Sequence, residues 1–162
     1  MPESSAAVPA SNASSDAAVL YNEKIWPNAW IWIVAAGLSS AGILVLAPIS
    51  LAAGFTAAIV LFVIIVVLLV VSTPTITVTP ATLRVGRATI ERRYLGAAAA
   101  FRGKEATAER GPRLNGLAFT CFRGWVDPVV RIEISDPSDR TPYWLTSTRH
   151  PDQLLAALRS RN

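Results

Sequence analysis

Apolar positions fill residues 29–71, 43 consecutive places without a charge, and the uncharged stretch runs from Ile25 to Leu83. One helix of that length would be a rod of roughly 65 Å, at about 1.5 Å per residue. The hydrocarbon core of a bilayer is only about 30 Å thick, and tilt cannot absorb a factor of two. Two passes are therefore expected, turning at Pro48, Ser50 and Gly54, the turn-compatible cluster near the midpoint. The pattern predicts helices over about 26–47 and 54–71, a transmembrane hairpin within residues 21–73.

After the hairpin the period shortens to two. "TITVT" places Ile76 and Val78 on one face, and "TLRVG" does the same for Leu83 and Val85, with a turn at Pro80-Ala81. "ATIERRYLGAAAAF" reads as a further strand and a connector. "LAFTCFRGW" (117–125), "VVRIEIS" (129–135) and "YWLTST" (143–148) read as strands, the last two joined by the turn-forming "DPSDRTP". The final segment changes to a helical period over 150–161. Pro151 suits the first helical position, Asp152 complements the positive helix end, and Leu154, Leu155 and Leu158 form an apolar stripe. Short strands closed by one C-terminal helix follow the plan of a pleckstrin-homology-like domain. The fold class expected is thus an α+β membrane protein: a helical hairpin, then a small β-sandwich or partly open barrel over 75–162, capped by a helix. Residues 1–20 hold too few large apolar groups to fold alone and are expected to form a disordered tail.

Composition sharpens this picture in one respect. The 162 residues are 52% hydrophobic and 16% charged, against about a quarter charged in ordinary soluble domains. A soluble core this small has no room for so much apolar surface. The 28 residues ahead of the first span carry Glu3, Asp16 and Glu23 against Lys24, so a basic-led cleaved signal is not expected.

Charge then gives orientation. Lys24 precedes the first helix, and Arg84, Arg87, Arg92 and Arg93 follow the second, while the turn between them has no charge. Cations flanking spans are retained in the cytoplasm, so both termini are expected there. Trp26, Trp30 and Trp32 are expected at the membrane interface, where amphipathic rings sit at the headgroup level. The four arginines are candidate headgroup contacts on an anionic leaflet.

Three stretches carry a family resemblance: "YNEKIWPNAWIWI", "LRVGRATIERRYLG" and "RIEISDPSDRTPYWLTSTRHPDQLLAAL". Together they resemble an actinobacterial membrane-protein family of unknown function with two spans, over about residues 21–158. The resemblance implies a bacterial inner-membrane protein, and 13 arginines against two lysines suit the high-GC coding of such organisms. It brings no reaction, cofactor or catalytic residue.

The residues themselves point to none either. His150 has no nucleophile placed beside it by any signature, one His and one Cys are too few for a zinc site, and no phosphate-binding glycine loop occurs. The lone Cys121 is expected to be a buried, inert thiol, and Asp127, Asp136 and Asp139 to serve turns. An excess of six positive charges over 75–162, without a recognition motif, gives no reason to expect nucleic acid. No catalytic residue, cofactor or metal is assigned. The expectation is a non-enzymatic anchor that presents a cytoplasmic interaction domain to a protein partner or to anionic lipid headgroups. Strand edges or the loops around Trp125 and Trp144 are its expected contact surfaces, although both rings suit a core better. The alternative is an accessory subunit whose hairpin docks a larger envelope or transport complex. Small residues four apart, Ala36 with Ser40 and Gly37 with Ala41, are expected to form either the hairpin's own seam or that docking seam.

Overall fold

A computed structural model describes residues 18–160; the expected tail up to residue 17 lies outside them. One strand precedes two apolar helices and seven follow them, and together these described strands form two four-stranded sheets, neither closed into a barrel. The first sheet contains β1 (Tyr21–Lys24), β2 (Thr75–Val78), β3 (Thr82–Val85) and β4 (Ala88–Glu91), in that spatial order and antiparallel throughout. The second contains β5 (Leu95–Phe101), β6 (Phe119–Cys121), β7 (Val129–Ile134) and β8 (Tyr143–Ser147), ordered β5-β7-β8-β6 with β6 and β8 parallel. The helices are α1 (Ala29–Leu46), α2 (Leu51–Val71), α3 (Gly103–Arg110) and α4 (Pro151–Arg159).

The helical hairpin turns where the sequence places a break, with shifted bounds. Ser50 caps α2 by accepting from the Ala53 N–H, so this helix begins three residues before the expected Gly54. Gly54 is needed for another reason. A Cβ there would meet the Ile43 backbone at 3.2 Å, and one at Gly42 would meet the Ala58 nitrogen at 3.3 Å. The seam runs through Ala35 and Ser39 of α1 and Gly54 and Ala58 of α2, all buried. Ala36, Gly37, Ser40 and Ala41 instead lie exposed on another face of α1. At about 27 and 32 Å, both helices are long enough to cross a bilayer, and large apolar side chains cover their outer surface.

The core lies between the sheets. Ile76, Val78, Leu83 and Val85 of the first sheet meet Val130, Ile132 and Trp144 of the second, all buried. Leu154 and Ala157 of α4 complete this cluster, so Leu154→Ala is worth about 2–5 kcal/mol of stability. Trp144 is therefore a core residue rather than a contact surface, packed at 4.8 Å from the Phe119 ring. A second cluster, Ala106, Val129, Tyr143 and Leu145, lies between the other face of the second sheet and α3. Covered on both faces and flanked by β6 and β7, β8 is buried along its whole length.

Two elements depart from the sequence expectation. The stretch "YNEK", expected within the hairpin region 21–73, forms β1, hydrogen-bonded to the strand that follows the second helix. The register pairs Tyr21 with Val78 and Lys24 with Thr75. Residues 103–110, unassigned by periodicity, form α3.

Candidate functional site

Three fastenings tie the hairpin to the sheets at one end, the hairpin root. The first is β1 itself, continued by the Ile25 N–H donating to the Pro74 carbonyl at 3.1 Å. The second is Arg149, which donates to the Trp26 carbonyl and the Asn28 side chain, each at 2.6 Å. Asn28 in turn donates to the Trp125 carbonyl at 3.0 Å. The third is Arg123, whose guanidinium donates to the Ser72 carbonyl at the end of α2.

Behind the second fastening lies a closed polar knot. Glu23, 9% exposed, accepts from the Tyr21 hydroxyl, the Thr148 hydroxyl and, at 2.8 Å, the Arg149 N–H. Burial, with the hydrogen bond to Glu23 second, pushes the Tyr21 phenol well above its ordinary value. Both oxygens of the buried carboxylate are thus hydrogen-bonded within the knot.

On the same end, a groove of about 630 Å³ opens between the Gly86-Arg87 turn and the end of β6. Gly86 takes a φ of 60°, where a Cβ would be strained, and makes the tight turn from β3 into β4. Arg84, Arg87 and Arg123 line the groove and no carboxylate does. Arg84 and Arg87 are exposed; Arg84 donates only to the Gly86 carbonyl, at 3.3 Å, and Arg87 forms no ion pair among the described residues. Cys121 also lines the groove; burial raises its thiol pKa, partly opposed by Arg123.

The sequence-assigned residues separate into two groups. Trp26 and Trp30 are exposed beside the root, Trp32 is half-buried, and the Lys24 ammonium lies 4.4 Å above the Trp26 ring. Arg84 and Arg87 join them at this end. Arg92 and Arg93 do not, because β4 runs away from the root and delivers both to the opposite end of the sheet. There Arg92 donates to the carbonyls of Ala157, Leu158 and Ser160 at 2.9–3.0 Å, capping α4. Arg93 pairs with Glu91 at 2.9 Å. A larger opening of about 930 Å³ adjoins them, but Arg92 and Arg93 are already engaged. Sequence reasoning missed Arg123 and Arg149, which reach the root from 51 and 121 positions away. Asp136 does serve a turn, its carboxylate held low by hydrogen bonds from the Ser138 hydroxyl and N–H.

These features define an α+β protein in which an apolar helical hairpin is locked to a two-sheet domain with a basic groove at the junction. A family model described as "Protein of unknown function (DUF3093)" matches residues 20–158, and the chain belongs to that family. No curated protein and no solved structure matches it.

Proposed function

We propose that the protein is an integral membrane protein whose hairpin spans the bilayer and holds the two-sheet domain rigidly against one leaflet, as a non-enzymatic interaction module. The carrying observation is the pairing of β1 with β2. A strand that precedes the hairpin and one that follows it share a ladder, which requires both ends of the hairpin on one side. With Lys24, Arg84 and Arg87 at that end, the side retaining cations is the cytoplasm, and both termini lie there. The family resemblance supports a bacterial inner membrane and an actinobacterial source. A pleckstrin-homology-like fold is supported by the C-terminal helix packed into the sandwich, while α3 and the parallel β6–β8 pair depart from that plan.

The test joins Asn22 to Thr77, which are register partners and both point away from the core. In native membranes washed with alkaline carbonate, the Asn22→Cys/Thr77→Cys chain should stay in the pellet and oxidise to an intramolecular disulfide. Release by carbonate, or two thiols that remain reduced under mild oxidant, contradicts the reading. A second reading, an accessory subunit docking through its hairpin, is favoured by the exposure of Ala36, Gly37, Ser40 and Ala41 away from α2. Replacing the hairpin with an unrelated two-span anchor abolishes function in that case alone.

A further inference from the structure

We propose that the groove at the hairpin root binds the phosphate of an anionic phospholipid, with Arg84 and Arg87 as its primary ligands and Arg123 as its floor. The inference rests on the membrane reading above and adds the ligand and the residues that hold it.

Three observations carry it. The first is uncompensated charge: three guanidinium groups line one groove without a carboxylate among its lining residues. Among the described residues, most N–H donors of Arg84 and Arg87 and the buried Nε of Arg123 have no hydrogen-bond partner. A planar fork of N–H groups matches phosphate oxygens in pairs, which an ammonium cannot do. The second is position. Ser72 and Thr73, where α2 ends, line the groove, and the exposed rings of Trp26 and Trp30 lie at the same end of the hairpin. A segment that has just left hydrocarbon meets phosphates there. The third is that the competing field is small. The carbonyl end of α2 carries about half a negative charge, against three unit positive charges, and Arg123 already covers the Ser72 carbonyl.

An acidic peptide offers similar charge, but the place favours lipid, since the ligand must reach a groove level with the helix ends. The opposite end of the domain provides an internal control. Arg93 is also exposed there but paired with Glu91 and far from the root.

The test uses the full chain in neutral detergent, titrated with dioctanoyl-phosphatidylglycerol, dioctanoyl-phosphatidylcholine or inorganic phosphate, and reads bound ligand by native mass spectrometry. Phosphatidylglycerol should bind more tightly than the other two. Each cation removed near an anionic headgroup should weaken binding about fivefold, so R84Q/R87Q should lose roughly 25-fold. R84K/R87K, which keeps the charges but not the paired N–H geometry, should bind more weakly than the parent yet more tightly than R84Q/R87Q, and Arg93→Gln should stay within twofold of the parent. Phosphatidylglycerol binding that ignores R84Q/R87Q overturns the proposal. So does inorganic phosphate binding as tightly as the lipid, or an acidic peptide displacing the lipid at lower concentration. Retention in carbonate-washed membranes separates the two levels: a chain that is retained but binds lipid independently of these arginines loses only this inference.

Discussion

The carboxylate of Glu23 accepts the backbone N–H of Arg149 at 2.8 Å, across 126 positions of chain. Glu23 lies just ahead of the first apolar helix and Arg149 just ahead of the last helix. Their contact ties the entry of the hairpin to the far end of the domain, and the Arg149 side chain repeats the tie at Trp26 and Asn28. Pushing on the domain therefore pushes on the helices.

Glu23→Ala leaves the Tyr21 and Thr148 hydroxyls and the Arg149 N–H without their acceptor in a buried place. Each stranded donor costs about 1–3 kcal/mol, partly relieved by relaxation, so a total loss of about 2–4 kcal/mol is expected. Glu23→Gln keeps one acceptor oxygen and should lose less. Thermal unfolding of the detergent-purified chain measures both, and a Glu23→Ala melting point equal to the parent's refutes the knot.

Tyr21 gives this knot an alkaline limit. The folded chain favours the neutral phenol, so this contribution is complete below the ordinary tyrosine value of 10.0 and is lost as pH rises beyond it. Melting temperature should therefore fall more steeply above about pH 10 in the parent than in Tyr21→Phe, which has nothing to ionise there. Parallel alkaline slopes refute this.

The hairpin seam separates two glycines of the same type. Gly54→Val drives a side chain into the Ile43 backbone and should cost about 1–3 kcal/mol. Gly37→Ala meets nothing within 4 Å and, with alanine's better helix propensity, should be neutral to slightly stabilising. Unfolding of the two variants in the same detergent ranks them, and equal effects contradict the seam.

Arg92 separates structure from binding. Arg92→Ala strips the cap from three carbonyls around the end of α4, and hydrogen bonds to a charged group of this kind are worth about 1.5–3 kcal/mol in all. Urea unfolding should register that loss while phosphatidylglycerol binding by the folded chain is unchanged. The opposite pattern would return Arg92 to the proposed lipid site.

The parts legible in the sequence are those whose cause is local. Forty-three uncharged residues cannot be anything but two long helices, and the alternations at Ile76-Val78 and Leu83-Val85 mark a hairpin of strands. Pro151 opens α4 as its chemistry requires. β1 was hidden because its inward positions are Tyr21 and Glu23: a carboxylate on the core face breaks the pattern, and its partner strand lies beyond the hairpin. α3 was hidden because "GKEATAER" has no apolar stripe, only Ala106 and the charged Glu109 being buried. Of the three arginines that line the groove, Arg84 and Arg87 were legible from their proximity in sequence to the end of the hairpin. Arg92 and Arg93 were lost to the direction of β4, and Arg123 was gained through β6, a three-residue strand paired in parallel with β8.

Two-sided thiol labelling addresses the shared side of the hairpin's ends most directly. Single cysteines replace Val19, Ile49 or Gln153, all exposed, in a Cys121→Ser background. They are probed with an impermeant maleimide on intact spheroplasts and on inside-out vesicles. Positions 19 and 153 should react only in inside-out vesicles and position 49 only in spheroplasts. Reaction of 19 and 153 from opposite faces would contradict the strand-locked hairpin and every role built on it.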